Sequence, residues 1–302
     1  MAFPDLKALE KHFGAAGRIG FREGAGGFPV VVLAGPHGSC EVSLYGGQVL
    51  SHRPPGQSPV LFVSRQAVYE PGKPIRGGIP VCWPWFGAHP SDRHKPAHGF
   101  ARLLPWTLLS AEYSSHLTDV KLSLVDSEAT RAFWPHAFEL VLRVVLDRGL
   151  RVELTTRNRD HAAISISEAL HTYLRVRDIG RTVVRGLDGR RYFDALTGRE
   201  HAAQKGDITF HGETDRVYRD PGPECVVEDA ALGREIVLDT RGSHDTVVWN
   251  PWIEKSRRLA DLGDDEYTGF LCVETANARP ALTIQPGETH TLTVTLQVQS
   301  NA

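Results

Sequence analysis

Apolar and polar residues alternate with a period of two over much of the chain, which is the pattern of half-buried β-strands. The alternation is clearest in four segments, at residues 40–44, 120–124, 150–154 and 292–298. Because successive side chains of a strand point to opposite faces, each of these segments predicts a strand with one buried face.

A helical period occurs near the start, where Leu6, Leu9 and Phe13 predict a short amphipathic helix. Further along, "FELVLRVVLDRGLRVELTTRN" predicts two strands joined by a tight turn at residues 147–149. No Pro/Gly/Ser-rich linker, charge block or internal repeat interrupts this pattern. We therefore expect an all-β fold with a few short helices, in one domain of residues 1–302. Periodicity alone does not separate a sandwich from a closed barrel.

The composition of the chain limits the classes of binding partner that we expect. The 302 residues carry a formal charge of −2, so no overall basicity indicates a nucleic-acid or anionic-membrane partner. No apolar run is long enough to span a bilayer, and the charged start "MAFPDLKALEKHF" lacks the apolar centre of a signal peptide. We expect a cytoplasmic protein with a small-molecule partner. The widely spaced cysteines are expected to be free thiols in or near the core: Cys40, Cys82, Cys225 and Cys272.

The segment "RGGIPVCWPWFGAHPSDRHKPAHGFAR" cannot be a regular helix, because its prolines and glycines predict a rigid, shaped loop. Arg76 and Arg102 flank it, and the planar guanidinium of arginine suits phosphate. The alternative is that both arginines are solvated or salt-bridged on the surface. His89, His94 and His98 invite a metal hypothesis, but their spacing gives it little support.

Three more residues could carry chemistry. In "ISISEALHTYLRV", alternation places His171 on the more polar face, where it could exchange protons or serve as a structural histidine. In "GFLCVETAN", Glu274 is a carboxylate on an apolar face, so it should be paired, protonated or functional. A structural salt bridge to Arg279 is its alternative interpretation. Asp215, in what looks like a polar loop, gives a weaker signal.

Taken together and in order, the motifs "RGGIPVCWPWFG", "HGFAR", "FWPHAFEL", "ALHTYLRV", "ETDRVY", "VVWNPW" and "CVETAN" resemble the D-hexose-6-phosphate mutarotase family, also called glucose-6-phosphate 1-epimerases. The resemblance implies a large antiparallel β-sandwich of the galactose-mutarotase-like type, with a sugar site on a concave sheet face. It favours the sandwich over the barrel by analogy.

The resemblance also implies the site. Matched motif by motif, it gives His171 as general acid, Glu274 as general base, Arg76 and Arg102 as phosphate ligands, and His98 and Asp215 as sugar contacts. The reaction it implies needs neither a metal nor a redox cofactor. One departure is Ala97, because many relatives carry an amide side chain just before "HG".

The expected function is interconversion of the α and β anomers of glucose 6-phosphate and related hexose 6-phosphates by a monomeric enzyme. Three alternatives stay open at this point. They are an aldose 1-epimerase for unphosphorylated sugars, a non-catalytic sugar-phosphate-binding protein, and a metal-dependent jelly-roll isomerase.

Overall fold

The protein, in this computed structural model, is described for residues 3–300 and consists mainly of antiparallel strands. The helices in that range are short: α1 (Leu6–Phe13), α2 (Glu128–Phe133), α3 (Trp252–Ser256) and the 3₁₀ turns Ala25–Gly27, Ala101–Leu103, Ile179–Arg181 and Glu266–Gly269. None of these described helices has the length and apolar character needed to cross a membrane.

The strands follow one another closely along the chain. They are β1 (Ile19–Glu23), β2 (Pro29–Gly35), β3 (Gly38–Ser43), β4 (Gln48–Arg53), β5 (Val81–Cys82), β6 (Thr107–Tyr113), β7 (Thr118–Val125), β8 (Phe138–Leu146), β9 (Leu150–Asn158), β10 (Ile164–Leu170), β11 (Tyr173–Arg175), β12 (Thr182–Arg185), β13 (Tyr192–Asp194), β14 (Arg199–His201), β15 (Ile208–Thr209), β16 (Thr214–Arg219), β17 (Glu224–Asp229), β18 (Arg234–Arg241), β19 (Asp245–Asn250), β20 (Phe270–Ile284) and β21 (Thr289–Ser300).

These strands form three sheets. A nine-stranded sheet has the order β15-β12-β17-β18-β21-β9-β8-β7-β6, and a four-stranded sheet has the order β1-β2-β3-β4. The third, eight-stranded sheet has the order β14-β13-β16-β19-β20-β10-β5, with β11 pairing against β20. One hydrophobic cluster contains alternate residues of both large sheets, such as Leu140 and Leu154 from one and Val248 and Val273 from the other. The two sheets therefore face each other as a sandwich, and the all-β prediction is confirmed.

Local predictions from the sequence also hold. Helix α1 begins after Asp5, whose side chain accepts a hydrogen bond from the Lys7 backbone N–H, and it buries Leu9. The predicted hairpin is β8 and β9, and the Gly149 N–H donates to Asp147 in its turn. All four cysteines are free and buried. The single domain stays a prediction, although the main cluster draws residues from Leu9 to Leu296.

The eight-stranded sheet has a second apolar face, turned away from the sandwich core. Its side chains form smaller clusters that include Val217, Val247, Trp249, Cys272 and Ala276. Because the inner residues of β16, β19 and β20 are fixed by the core, the alternation along each strand decides which residues reach this outer face. The candidate site lies on that outer face.

A buried polar cluster ties together the strands under the site. Glu168 of β10 is fully buried, and its Oε1 accepts a hydrogen bond from the Asn277 Nδ2 of β20 at 3.2 Å. The same oxygen lies 3.1 Å from the Nε2 of His290 on β21. This hydrogen bond to Glu168 raises the pKa of His290 above its usual value. A group whose pKa is raised by folding stabilises the fold at low pH and loses that contribution as the pH rises through the raised pKa.

The substitution His290→Ala should lower the free energy of unfolding by about 3 kcal/mol at pH 6, because it removes the cation that faces the buried Glu168. Denaturant unfolding between pH 5.5 and 8.5 should show the loss shrinking as the pH rises. The control is His136→Ala, which breaks a more exposed pair with Asp160 and should cost much less. If the loss of unfolding free energy did not change with pH, His290 would not be the charged partner of Glu168.

Candidate active site

The centre of the site is the pair His171 and Glu274. His171 lies in the short gap between β10 and β11, and both of these strands pair with β20 on either side of Glu274. The register therefore places the two side chains opposite each other on the same face, as cross-strand neighbours. The Nε2 of His171 lies 3.4 Å from the Oε1 of Glu274. The sequence placed these residues on different strands, and the fold brings them together.

Burial governs the charge of this pair. His171 is 7 % exposed and Glu274 is 2 % exposed. Burial lowers the pKa of His171 well below its ordinary value, and the nearby His98, Arg102 and Arg76 lower it further. Burial raises the pKa of Glu274 well above its ordinary value. The favoured resting form is a neutral imidazole beside a protonated carboxyl, which together hold one mobile proton.

Each member of the pair keeps one free polar atom. The Nδ1 of His171 and the Oε2 of Glu274 are buried and have no hydrogen-bond partner among residues 3–300. Buried polar atoms without partners are rare in folded proteins and need an explanation. Leaving a buried polar atom unpaired costs free energy, and the cost is larger when the group is charged, so both groups favour their neutral forms.

The pair opens into a cavity of about 410 Å³, a size that suits a small molecule. Five of the six predicted site residues line it: Arg76, His98, His171, Asp215 and Glu274. The sixth, Arg102, lies outside the cavity wall, and its Nη2 donates to the backbone oxygen of Ala97 at 2.8 Å. Its charge still helps to lower the pKa of His98 and of His171, so Arg102 affects the site without lining the cavity.

His98 is held by an unusual backbone. Its φ of 61° and the φ of 72° at Gly99 both lie in the left-handed region. The Gly87 N–H donates to the Nδ1 of His98 at 3.3 Å, which leaves Nε2–H as the donor. Burial lowers the pKa of His98 to about 3, so the ring is neutral near pH 7. His98 can therefore offer a hydrogen-bond donor to a sugar hydroxyl without adding charge.

The position of Asp215 corrects one expectation. The sequence placed it in a polar loop, but it is the second residue of β16 and its side chain faces the cavity. Burial raises its pKa, and the Nζ of Lys255 at 3.7 Å opposes that shift. The alternating pattern of "TDRVYR" is short and mostly polar, which explains why it looked like a loop.

The alternative interpretation of Glu274, a salt bridge to Arg279, does not match the geometry. The Arg279 guanidinium lies over the ring of Phe193, 5.2 Å from its centre, at another part of the cavity wall. The partner of Glu274 is His171.

The sequence reasoning gave no role to several wall residues. Lys255 lies on α3, 5.7 Å from the ring centre of Trp249, and its Nζ lies 2.9 Å from Glu213. Arg219 forms an ion pair with the fully buried Asp245 at 2.8 Å. Two motifs pointed to this region: "VVWNPW", which carries Trp249, and "ETDRVY", which carries Glu213. The lysine and the arginine had no distinguishing pattern around them.

Comparison with known proteins identifies the family to which the chain belongs. The family model described as "Aldose 1-epimerase" matches residues 29–297. The chain belongs to the aldose 1-epimerase family. This member is therefore an enzyme, a sugar isomerase, and the resemblance found in its motifs is confirmed.

Relatives agree with this assignment over most of the chain. A protein of Escherichia coli K12 named "Putative glucose-6-phosphate 1-epimerase" is 38% identical over 82% of this chain and 83% of its own. The crystal structure of a "putative mutarotase (YeaD)" from Salmonella typhimurium matches with a TM-score of 0.88 and 33% identity, over 94% of each chain. A galactose mutarotase-like protein from Clostridium acetobutylicum, at 13% identity and a TM-score of 0.71 over 93% of this chain and 98% of its own, shares the fold.

The conformation of the loop that carries His98 should depend on Gly99. A Cβ at Gly99 would lie 1.8 Å from the backbone oxygen of Trp83, whereas a Cβ at Gly56, with a φ of 69°, would meet nothing within 4 Å. Gly56→Ala should cost about 1 kcal/mol of stability from its backbone conformation alone. Gly99→Ala should cost at least about 2 kcal/mol more and reduce activity. Denaturant unfolding of both variants measures the difference, and equal losses would show that the loop relaxes freely.

Proposed function

We propose that this aldose 1-epimerase family member is a hexose-6-phosphate mutarotase, with His171 and Glu274 as its proton-transfer residues. The observation that carries the proposal is the 3.4 Å approach of these two side chains, both of which line the cavity. His98 and Asp215 line the same cavity and would hold sugar hydroxyls.

The reaction needs two proton transfers. A base takes the proton from the C1 hydroxyl while an acid gives one to the ring oxygen, and the C1–O5 bond breaks to leave the open-chain aldehyde. Rotation about the C1–C2 bond and reclosure by the reverse transfers then give the other anomer. The pair holds one proton in total, either on Glu274 or on His171. The family resemblance gives Glu274 as the base and His171 as the acid, and transfer between them reaches that form from the neutral resting pair.

Two observations support a phosphorylated substrate: the position of Arg76 and the names of the relatives. Arg76 lines the cavity close to His171, and Arg102 adds positive charge behind His98. Phosphate recognition by arginine relies on charge-assisted hydrogen bonds. We further propose that the protein acts as a monomer in the cytoplasm, where its four free, buried cysteines would stay reduced.

Glu274→Gln should slow the exchange between the anomeric proton signals of glucose 6-phosphate by about 10²–10⁴-fold, because a positioned proton-transfer group contributes about that much. NMR exchange spectroscopy measures it, with glucose as the second substrate. The matched control is Glu254→Gln on α3, whose exposed side chain pairs with Arg257 and should leave the rate unchanged. Wild-type enzyme that accelerates glucose but not glucose 6-phosphate would identify an epimerase of unphosphorylated sugars.

The pH dependence follows from the shifted pKa values. Activity should fall at low pH when neutral His171 gains a proton, with a midpoint below the ordinary histidine value of 6.5. It should fall at high pH when Glu274 loses the shared proton, with a midpoint above the ordinary glutamate value of 4.5. The profile of kcat/KM reports these groups in the free enzyme.

Because phosphate itself ionises near pH 6, the profile should be measured with a hexose 6-sulfate as well. An acid limb with its midpoint at or above pH 6.5 for both substrates would show that His171 is not held neutral by burial.

A further inference from the structure

Arg76 is bound on its outer side by a residue to which the motifs gave no role. The Nε of Arg76 donates to Asp261 at 3.2 Å, and its Nη2 donates to the other carboxylate oxygen at 3.1 Å. This is a bidentate pair along one edge of the guanidinium, and both side chains are 19 % exposed. The Nη1 of Arg76 donates to the hydroxyl of Tyr173 at 3.0 Å.

These contacts leave a defined set of free donors. A guanidinium carries five N–H hydrogens, and Asp261 and Tyr173 use three of them. One hydrogen stays free on Nη1 and one on Nη2. Donors on the two terminal nitrogens can bind one phosphate group through two oxygens. Because Arg76 lines the cavity, these are the donors that a bound phosphate can reach.

Asp261 is itself held firmly. It lies between α3 and the 3₁₀ turn Glu266–Gly269, and the next residue, Leu262, is buried in a cluster with Tyr173 and Trp249. The same segment is fixed by Glu266, which accepts hydrogen bonds from the Ser64 hydroxyl and the Gly263 N–H. A carboxylate on such a segment can fix the orientation of the arginine that it binds.

The same contacts join Arg76 to the acid–base pair. Tyr173, which receives the Arg76 hydrogen bond, stacks on the His171 ring with a centroid distance of 4.8 Å and an interplanar angle of 11°. The Tyr173 ring is buried in a cluster with Trp249 and Phe270. A shift of Arg76 would therefore disturb the phosphate contact more than the packing of His171.

Building on the proposed function, we infer that Asp261 is a positioning residue for substrate recognition. It fixes Arg76 so that the free donors on Nη1 and Nη2 face the phosphate of a hexose 6-phosphate, and it thereby sets the preference for phosphorylated over free hexose.

The test compares Asp261→Ala, Asp261→Asn and the control Asp265→Ala with wild-type enzyme. Asp265 lies four residues further on, is 82 % exposed and pairs with the exposed Arg65. For Asp261→Ala, we expect KM for glucose 6-phosphate to rise about tenfold, the effect of about 1.4 kcal/mol. We expect kcat for this substrate, and both constants for glucose, to change less than about twofold. Asp261→Asn keeps one oxygen acceptor and should recover part of the loss, while Asp265→Ala should match wild type.

Other outcomes overturn the inference. An equal rise of KM for glucose and glucose 6-phosphate would show that Asp261 only supports the fold around the cavity. A lower KM for glucose 6-phosphate would show that Asp261 competes with the phosphate for Arg76.

A second measurement separates this inference from the proposed function. Titration of the full-length protein with inorganic phosphate, followed by tryptophan fluorescence, needs no catalysis. Wild-type protein should bind phosphate about tenfold more tightly than Asp261→Ala. If wild type accelerates neither sugar, the proposed function fails, and this titration still decides the role of Asp261. Equal phosphate affinities, or no detectable binding by wild type, would overturn the inference.

Discussion

The site depends on the antiparallel pairing of β20 with β10 and β11. This pairing sets His171 opposite Glu274 on the outer face of the eight-stranded sheet, while the inner face of the same strands packs into the sandwich core. Because strand side chains alternate between faces, a slip of one residue would turn Glu274 into the core and expose a core residue. The hydrophobic core therefore fixes the geometry of the His171–Glu274 pair.

Burial gives this pair its chemical character. An isolated carboxylate is costly in a site from which water is excluded, and so is an isolated imidazolium. Glu274 and His171 avoid both costs by holding one proton between them, and His98 stays neutral for the same reason. Several full charges at the cavity wall belong to side chains with their own ion partners, such as Arg76 with Asp261. The wall can thus attract a charged substrate without fixing the proton that the reaction must move.

The sequence predicted the strands that show regular alternation and the site residues that lie in recognisable motifs. Period-two alternation predicted β7, β9 and β21, and the ordered motifs indicated His171 and Glu274 before any distance was known. Asp215 was placed in a loop because its strand is short and polar. Asp261 and Lys255 received no role, because they lie in a loop and a one-turn helix whose sequence does not indicate what they contact. Tertiary packing brings Lys255 to the cavity wall and Asp261 to Arg76. Arg102 does not line the cavity, although a motif indicated it as a phosphate ligand, and that role stays a prediction.

The backbone contact between Trp83 and Gly99 closes a loop of the chain. The two backbones meet so closely that only glycine fits at Gly99, and the chain between them leaves the sheet and returns at one point. A loop that is closed in this way can change in length and composition at little entropic cost, because its ends stay fixed. Gly87 and His98, which lie within it, form part of the cavity wall. Evolution can therefore reshape the cavity through this loop while leaving the strands that flank the His171–Glu274 pair untouched.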